Sequence, residues 1–301
     1  MYKNIDFFKF QALFASEEKG HQYLCQRRWP DGFVCPKCSG QRHSYITSRR
    51  LYQCSTCRYQ CSVRVGTVFQ KSKTPLQKWF WMIFLLSQSK NGYSALALKR
   101  LLAISYSTAL SMTHKIRTAM AARDANYRLG GLIELDDAYF GGKKVPGKRG
   151  RGSGKKTPVI VGVQLNEKDR PQYAHMIAVN DLTEQSVSKA SKEHFEEDSE
   201  IKSDAFSSYK VLSRYGYFHR PTKIGYPRLA RKFLPWVHIL ISNAKAIHIG
   251  THHGVSNQHL QKYLSEFCYR FNRRFQQNNL FDRLICACLG APPVTIAELS
   301  R

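Results

Sequence analysis

The chain has 301 residues, 43% of them apolar, which is enough for a sizeable core and more than one domain. Its 47 Lys and Arg against 21 Asp and Glu leave a formal charge of +26. That imbalance points to a polyanionic partner, nucleic acid ahead of an anionic membrane surface. No run of 18 apolar residues and no basic-then-apolar leader is present, so neither a membrane span nor secretion is expected. Four of the nine cysteines fall in two CxxC pairs, which is not the pattern of a secreted disulfide framework, and a reducing cytoplasm is the expected compartment.

In chain order, residues 1–24 mix aromatic and charged positions (Phe7, Phe8, Phe10, Phe14) and predict one or two short helices. Cys35-Pro36-Lys37-Cys38 and Cys54-Ser55-Thr56-Cys57 then give C-x2-C-x15-C-x2-C with hairpin-like residues between. Two tight knuckles of this kind supply four thiolates to a tetrahedral Zn2+, so a structural zinc ribbon is expected on Cys35, Cys38, Cys54 and Cys57. Cys25 and Cys61 fall outside the spacing and read as core thiols. Arg42, His43, Arg49, Arg50, Tyr52, Arg58 and Tyr59 surround the knuckles, and the ribbon reads equally as a nucleic-acid contact or as a structural element.

Thr74-Pro75-Leu76 predicts a helix start with Thr74 as N-cap and Pro75 at the first helical position. Two further helices follow, Ser94 to Leu102 and Ser105 or Ser107 to about Ala122. Helix, short turn and helix with Lys99, Arg100, His114, Lys115 and Arg117 suit a helix-turn-helix reader of duplex DNA, and a generic three-helix unit fits the pattern as well. The domain division read from these changes is 1–72 (N-terminal helices and ribbon), 73–128 (helical segment) and 129–301.

From Gly131 the pattern turns to strands: Leu132–Phe140, Pro158–Leu165, Tyr173–Val179, then a helix over Leu182–Phe195, a short strand Glu200–Asp204, a helix Ser207–Arg214, a strand Tyr217–Lys223, and helices over Arg228–Ile249 and Ser256–Phe275. This order matches a ribonuclease-H-like fold, whose first and fourth strands lie side by side. Asp136 and Asp204 would then meet. Asp136 and Asp137 are adjacent on one strand and must point to opposite faces. The segment Gly141–Lys156 holds seven Lys or Arg and no acid. It reads either as a solvated linker or as an arm whose Lys143, Lys144, Lys148, Arg149, Arg151, Lys155 and Lys156 track DNA phosphates. The whole is an α+β, α/β multi-domain chain.

Two carboxylates on adjacent strands suit a pair of hard divalent ions, Mg2+ or Mn2+, and such a two-metal site serves phosphoryl transfer. A third ligand would complete it. After Asp204 only Glu266, Asp282 and Glu298 remain as acids, and Glu266 is explained by an i,i+4 pair with Arg270.

With the ribbon, the helical segment, Leu135-Asp136-Asp137-Ala138-Tyr139-Phe140-Gly141-Gly142, Ser203-Asp204 through Tyr209, and the closing run from His253-Gly254-Val255-Ser256 to Arg273-Arg274, the chain resembles insertion-sequence transposases of the acidic-triad (DDE) class that carry an N-terminal zinc ribbon. The resemblance covers essentially the whole chain, and the closing run is its most specific part. It implies that Asp136 is the first metal ligand, with Asp137 where the family usually shows Glu, and that Asp204 is the second. It implies a Glu, Asn or His seven residues before a Lys as the third. Lys245 is the matching cation and His238 stands seven before it, with Asn243 as the competing candidate. Imidazole suits Mn2+ better than Mg2+.

The resemblance further implies binding of double-stranded DNA at terminal inverted repeats and at a target, metal-dependent cleavage and strand transfer, and a homodimer or larger synaptic complex. The departure at the third ligand keeps an alternative open: an inactive or domesticated zinc-ribbon DNA-binding protein.

Overall fold

The computed structural model describes residues 5–141, 156–223, 232–295 and Glu298. The chain divides into two compact units, Met1–Arg123 with Phe275–Arg301, and Asp124–Arg274.

In the first unit, α1 (Phe7–Leu13) starts at Asp6, whose side chain accepts from Lys9 N, and α2 (Glu17–Arg28) starts at Ser16 in the same way. A three-stranded antiparallel ribbon follows, β1 (His43–Ile46), β2 (Leu51–Cys54) and β3 (Gln60–Cys61). Helix α3 (Leu76–Gln88) is apolar on most faces and buried on them. Its start differs from the expectation. Pro75 is the N-cap residue and carries no side-chain acceptor, and Thr74 does not cap. Glu17 does so instead, its two carboxylate oxygens accepting from Leu76 N at 2.9 Å and Gln77 N at 3.2 Å. A remote carboxylate thus satisfies donors that a proline start leaves exposed.

Helix α4 (Ala95–Leu102) is capped by Ser94, and Ala103 in the left-handed region (φ 47) ends it. Helix α5 (Tyr106–Asp124) follows after three residues, with Ser105 Oγ accepting from Thr108 N. The helix-turn-helix pattern is therefore present as an α4-turn-α5 unit. Two of its expected DNA-facing cations are not on the surface: His114 and Arg117 are buried on α5, while Lys99 and Arg100 on α4 are exposed.

The second unit is a five-stranded sheet in the order β6-β5-β4-β7-β8, formed by β4 (Leu132–Phe140), β5 (Thr157–Leu165), β6 (Pro171–Ala178), β7 (Glu200–Asp204) and β8 (Phe218–Thr222). β5 pairs antiparallel with both neighbours, whereas β4-β7 and β7-β8 are parallel. This is the ribonuclease-H-like arrangement that the strand order implies. Helix α6 (Glu184–His194) and the short α7 (Val211–Arg214) cover one face over Ile133, Leu135, Ile160 and Ile201. Helices α8 (Pro235–Ile247) and α9 (Leu260–Phe271) cover the other over Ala138, Phe140, Val159, Val161 and Val163. With layers on both sides, β5 can be apolar along nearly its whole length.

β6 is an edge strand, and α9 closes it. Asn272 Oδ1 accepts from Ala174 N at 2.8 Å while its Nδ2 donates to Ala174 O at 3.2 Å. Gln261 does the same two pairs along, accepting from Ala178 N at 2.8 Å and donating to Met176 O at 3.0 Å. Residues 174, 176 and 178 share one parity, so these are the backbone groups that no neighbouring strand can reach. Much of the closing run Gly254–Arg274 is therefore a clasp. Arg273 adds an ion pair to buried Asp124 at 2.6 Å and lies over the Tyr269 ring.

The last helix, α10 (Leu280–Gly290), groups with the first unit, whereas the sequence division ran the third domain to 301. The reason is aromatic packing: Phe281 contacts Phe10, Phe14, Tyr23, Phe80 and Phe84. Beside it, buried Asp282 accepts from Tyr23 Oη and pairs with Arg27 at 2.9 Å. Among the described residues no helix is long and apolar enough to cross a membrane.

Candidate active site and metal centre

The ribbon cysteines converge. Cys35 and Cys57 Sγ are 3.6 Å apart, as are Cys38 and Cys54 Sγ, and all four sulfurs lie within 4.8 Å of one another. A tetrahedron of Zn–S bonds of about 2.3 Å has edges of about 3.8 Å, so the cluster has the size a zinc ion requires. The two knuckles repeat one backbone turn: Ser39 N donates to Cys35 O and Arg58 N to Cys54 O, with Ser39 (φ 60) and Arg58 (φ 59) both left-handed. Backbone N–H groups of Cys57 and Thr56 hold the Cys54 thiol down to about 6, against its burial. Gly40 leaves room for the cluster, since a Cβ there would lie 3.3 Å from Cys38 and Cys54 Sγ. The residues fit Zn2+. Cys25 and Cys61 are not among the four converging sulfurs, and Cys25 Sγ lies 3.0 Å from Tyr52 Oη instead.

In the second unit the sheet brings the two predicted aspartates together just past the parallel β4–β7 pairing, Asp136 midway along β4 and Asp204 as the last residue of β7. Leu135 pairs with Ser203 in register, and Asp136 and Asp204 are the next residues along. Asp136 faces α8 and Asp137 faces the opposite layer, where Tyr209 Oη donates to its Oδ1 at 3.3 Å. Burial, and then the charges of Asp137, Asp136 and Asp204, push the Tyr209 hydroxyl well above its ordinary range. Asp136 Oδ1 accepts from Asp137 N and Asp204 Oδ1 from Phe206 N, which orients each side chain.

Helix α8 brings the third candidate group beside them. His238 Nδ1 lies 3.5 Å from Asp136 Oδ2, with the two side chains 26% and 13% exposed. Lys245 stands seven residues on and shares the His238 face, because seven steps of about 100° nearly complete two turns. Asn243, five residues on, is rotated about 140° away and exposed. The helix is placed by Glu134, two residues before Asp136 on the same face of β4. Glu134 Oε2 accepts from Trp236 N and Val237 N, both at 2.9 Å, and so caps a helix that begins with Pro235 and has no side-chain cap of its own. Burial raises the Glu134 carboxyl against the pull of those two N–H groups.

A transposase zinc-ribbon family model matches residues 15–60, and an ISXO2-like transposase domain matches 128–272. The chain thus resembles insertion-sequence transposases that carry an N-terminal zinc ribbon. A curated relative, an uncharacterised protein in transposable element ISH50 of Halobacterium salinarum, is 25% identical over 224 residues, 69% of this chain and 74% of that protein. Among solved structures, a pre-cleavage Mos1 transpososome chain is 12% identical with a TM-score of 0.27, covering 72% of this chain and 81% of that one. A chain of the simian T-cell lymphotropic virus intasome in complex with PP2A regulatory subunit B56 gamma is 14% identical with a TM-score of 0.33. That match covers 60% of this chain and 64% of the other, under two thirds of its length.

For this transposase the remaining acids have other duties. Glu266 pairs with Arg270 inside α9, Asp282 is tied to Tyr23 and Arg27 in the first unit, and Glu298 accepts from Thr295. Of the expected phosphate-tracking arm, Lys143, Lys144, Lys148, Arg149, Arg151 and Lys155 lie outside the described residues, and Lys156 is exposed at the start of β5. Among the described residues the four cysteines are the one group of three or more ligand atoms within a single ion's reach. The Asp136, Asp204 and His238 set is more open. Mg2+ characteristically takes only one or two carboxylates and draws its other ligands from water and phosphate, so the hard oxygen donors present suit such an ion shared with substrate. Tyr209 closes the Ser203-Asp204 motif of the sequence, whereas nothing in the sequence around Glu134, two residues before Asp136, signals that it caps a helix.

Proposed function

We propose that this transposase binds duplex DNA at the terminal inverted repeats of an insertion sequence, cleaves a phosphodiester there and joins the freed end to target DNA. The observation that carries the reading is the juxtaposition of Asp136 and Asp204 just past the parallel pairing of β4 with β7, with His238 3.5 Å from Asp136. In this reading Asp136 and Asp204 hold divalent ions, Mg2+ or Mn2+, with His238 as third ligand. Such ions would supply charge stabilisation for in-line phosphoryl transfer. Lys245 holds a phosphate beside them. Tyr209 fixes Asp137 behind the site, and Glu134 fixes the helix in front of it.

The formal charge of +26 supports a polyanionic partner, and the exposed Lys99 and Arg100 support a role for α4 and α5 in contacting the ends. An insertion sequence has two ends to be cut together, which motivates a synaptic assembly with two or more copies of this chain.

The test is nicking of a labelled terminal-repeat duplex with Mg2+ or Mn2+ by wild type, Asp136→Ala and Asp204→Ala. Nicking by wild type that both variants lose, with duplex binding kept, is the expected result. Wild-type nicking rates in either variant would overturn the site. Binding without nicking by wild type in any metal would favour a DNA-binding protein that has lost the chemistry.

A further inference from the structure

Beyond the carboxylates, strand β4 runs straight into a cleft. Gly141 (φ 74) ends the strand and the carboxamide oxygen of Asn257 lies against it, since a Cβ on Gly141 would sit 3.0 Å from that oxygen. The cleft measures about 750 Å³, within the range of small-ligand sites. Its surfaces are of two kinds. Phe140 and Val255 line it, and Ile249, 71% exposed, adds an apolar surface that faces water. Lys156 and Lys245 line it as well, with Lys245 Nζ 5.6 Å from the Phe140 ring. Partial burial and then the charge of Lys156 depress the Lys245 ammonium, while Asp136 and Asp137 support it. Two cations lining one cleft are surroundings that an anion would relieve.

An apolar face beside paired cations matches the two halves of a nucleotide, a base and a phosphate, and sites for single strands likewise combine a cationic groove with side chains that cover the face of a base. A base still paired in a duplex cannot reach such a cleft without leaving its stack. We propose that the cleft takes one unpaired nucleotide of the DNA strand next to the carboxylate centre, its base against Ile249 and Val255 and its phosphate between Lys156 and Lys245. The proposal rests on the function above, because it places that strand in the site.

The test is photochemical and needs no metal, so it reads independently of nicking. The full chain is irradiated with an oligothymidylate carrying a single 5-iodouracil, and the adducts are mapped by mass spectrometry. The expected adducts fall on residues 253–257 or on Phe140. In Ile249→Glu, whose exposed position leaves thermal unfolding as in wild type, their share of all adducts should fall about tenfold. Adducts found only elsewhere would overturn the proposal. So would adducts at 253–257 that Ile249→Glu leaves undiminished, or equal labelling there by free 5-iododeoxyuridine monophosphate. Nicking lost with adducts present would refute the reaction and keep the cleft; the reverse result would do the opposite.

Discussion

The carboxylate of Glu134 on the central strand accepts the backbone N–H of Val237 on α8 at 2.9 Å, and that bond sets where His238 stands. His238 is the next residue, and Asp136, its neighbour across the site, is two residues from Glu134. One carboxylate therefore ties the helix to the strand at the point where the two candidate ligands meet. Glu134→Ala should leave two N–H groups of α8 unpaired in a buried place and cost about 1–3 kcal/mol in denaturant unfolding. Glu134→Gln keeps an acceptor and should cost less.

The pH dependence of that site has a definite sign. Burial raises the Glu134 carboxyl above its ordinary 4.5, so the folded chain holds this proton more tightly than the unfolded one. The resulting stability is fully present below the unfolded value and is lost as pH rises through the folded one. The difference in unfolding free energy between wild type and Glu134→Gln should therefore shift against wild type as pH climbs from 4.5, and a flat difference across that window would contradict it.

What could be seen in the chain beforehand was whatever is local or follows from strand order. The two CxxC knuckles, the Ser94 cap, the opposite facing of Asp136 and Asp137, and the meeting of Asp136 with Asp204 all follow from spacing, alternation or topology. What stayed hidden depends on which remote groups meet. Glu134 reaches Trp236 across 102 positions, Glu17 reaches Leu76 across 59, and Tyr23 reaches Asp282 across 259. An acid inside an apolar strand reads the same whether it binds a metal or caps a helix. The exposed-cation reading of His114 and Arg117 failed for a related reason, since charge alone does not say which helix face is covered.

The zinc site offers a test that spares its ligands. A Cβ at Gly40 would lie 3.0 Å from Thr56 Oγ1 and 3.3 Å from two cysteine sulfurs. Gly40→Ala should keep all four thiolates yet weaken zinc about tenfold, as disturbing the surroundings of a metal site generally does. Cys54→Ser should abolish stoichiometric zinc and unfold the ribbon. Zinc content and chelator competition read both, and zinc retained in Cys54→Ser would refute the four-thiolate site.

The clasp on β6 predicts a stability effect away from any chemistry. Asn272→Ala frees Ala174 N and O at the sheet edge, and should lower unfolding free energy by about 1–3 kcal/mol with an unchanged denaturant slope. An edge strand so uncovered is also a template for pairing with another chain, so concentration-dependent self-association should rise and can be followed by light scattering. Gln261→Ala should act in the same direction through Ala178 and Met176.

As the proposed third ligand, His238 should set the metal preference. Its Nδ1 lies where a carboxylate would complete an oxygen-rich site, 3.5 Å from Asp136 Oδ2. Imidazole suits Mn2+ better than Mg2+, whereas carboxylate accepts both hard ions well. His238→Glu keeps a ligand on the same face of α8 as Lys245 and changes only its chemistry. Nicking by wild type should favour Mn2+ over Mg2+, and the ratio of the two rates should fall in His238→Glu. His238→Ala should lower both rates together, and Asn243→Ala, on the far side of the helix, should move neither rate nor ratio. If Asn243→Ala instead lowers nicking while His238→Ala does not, the third ligand is misassigned, and α8 would have to turn by about 140° to bring Asn243 to Asp136.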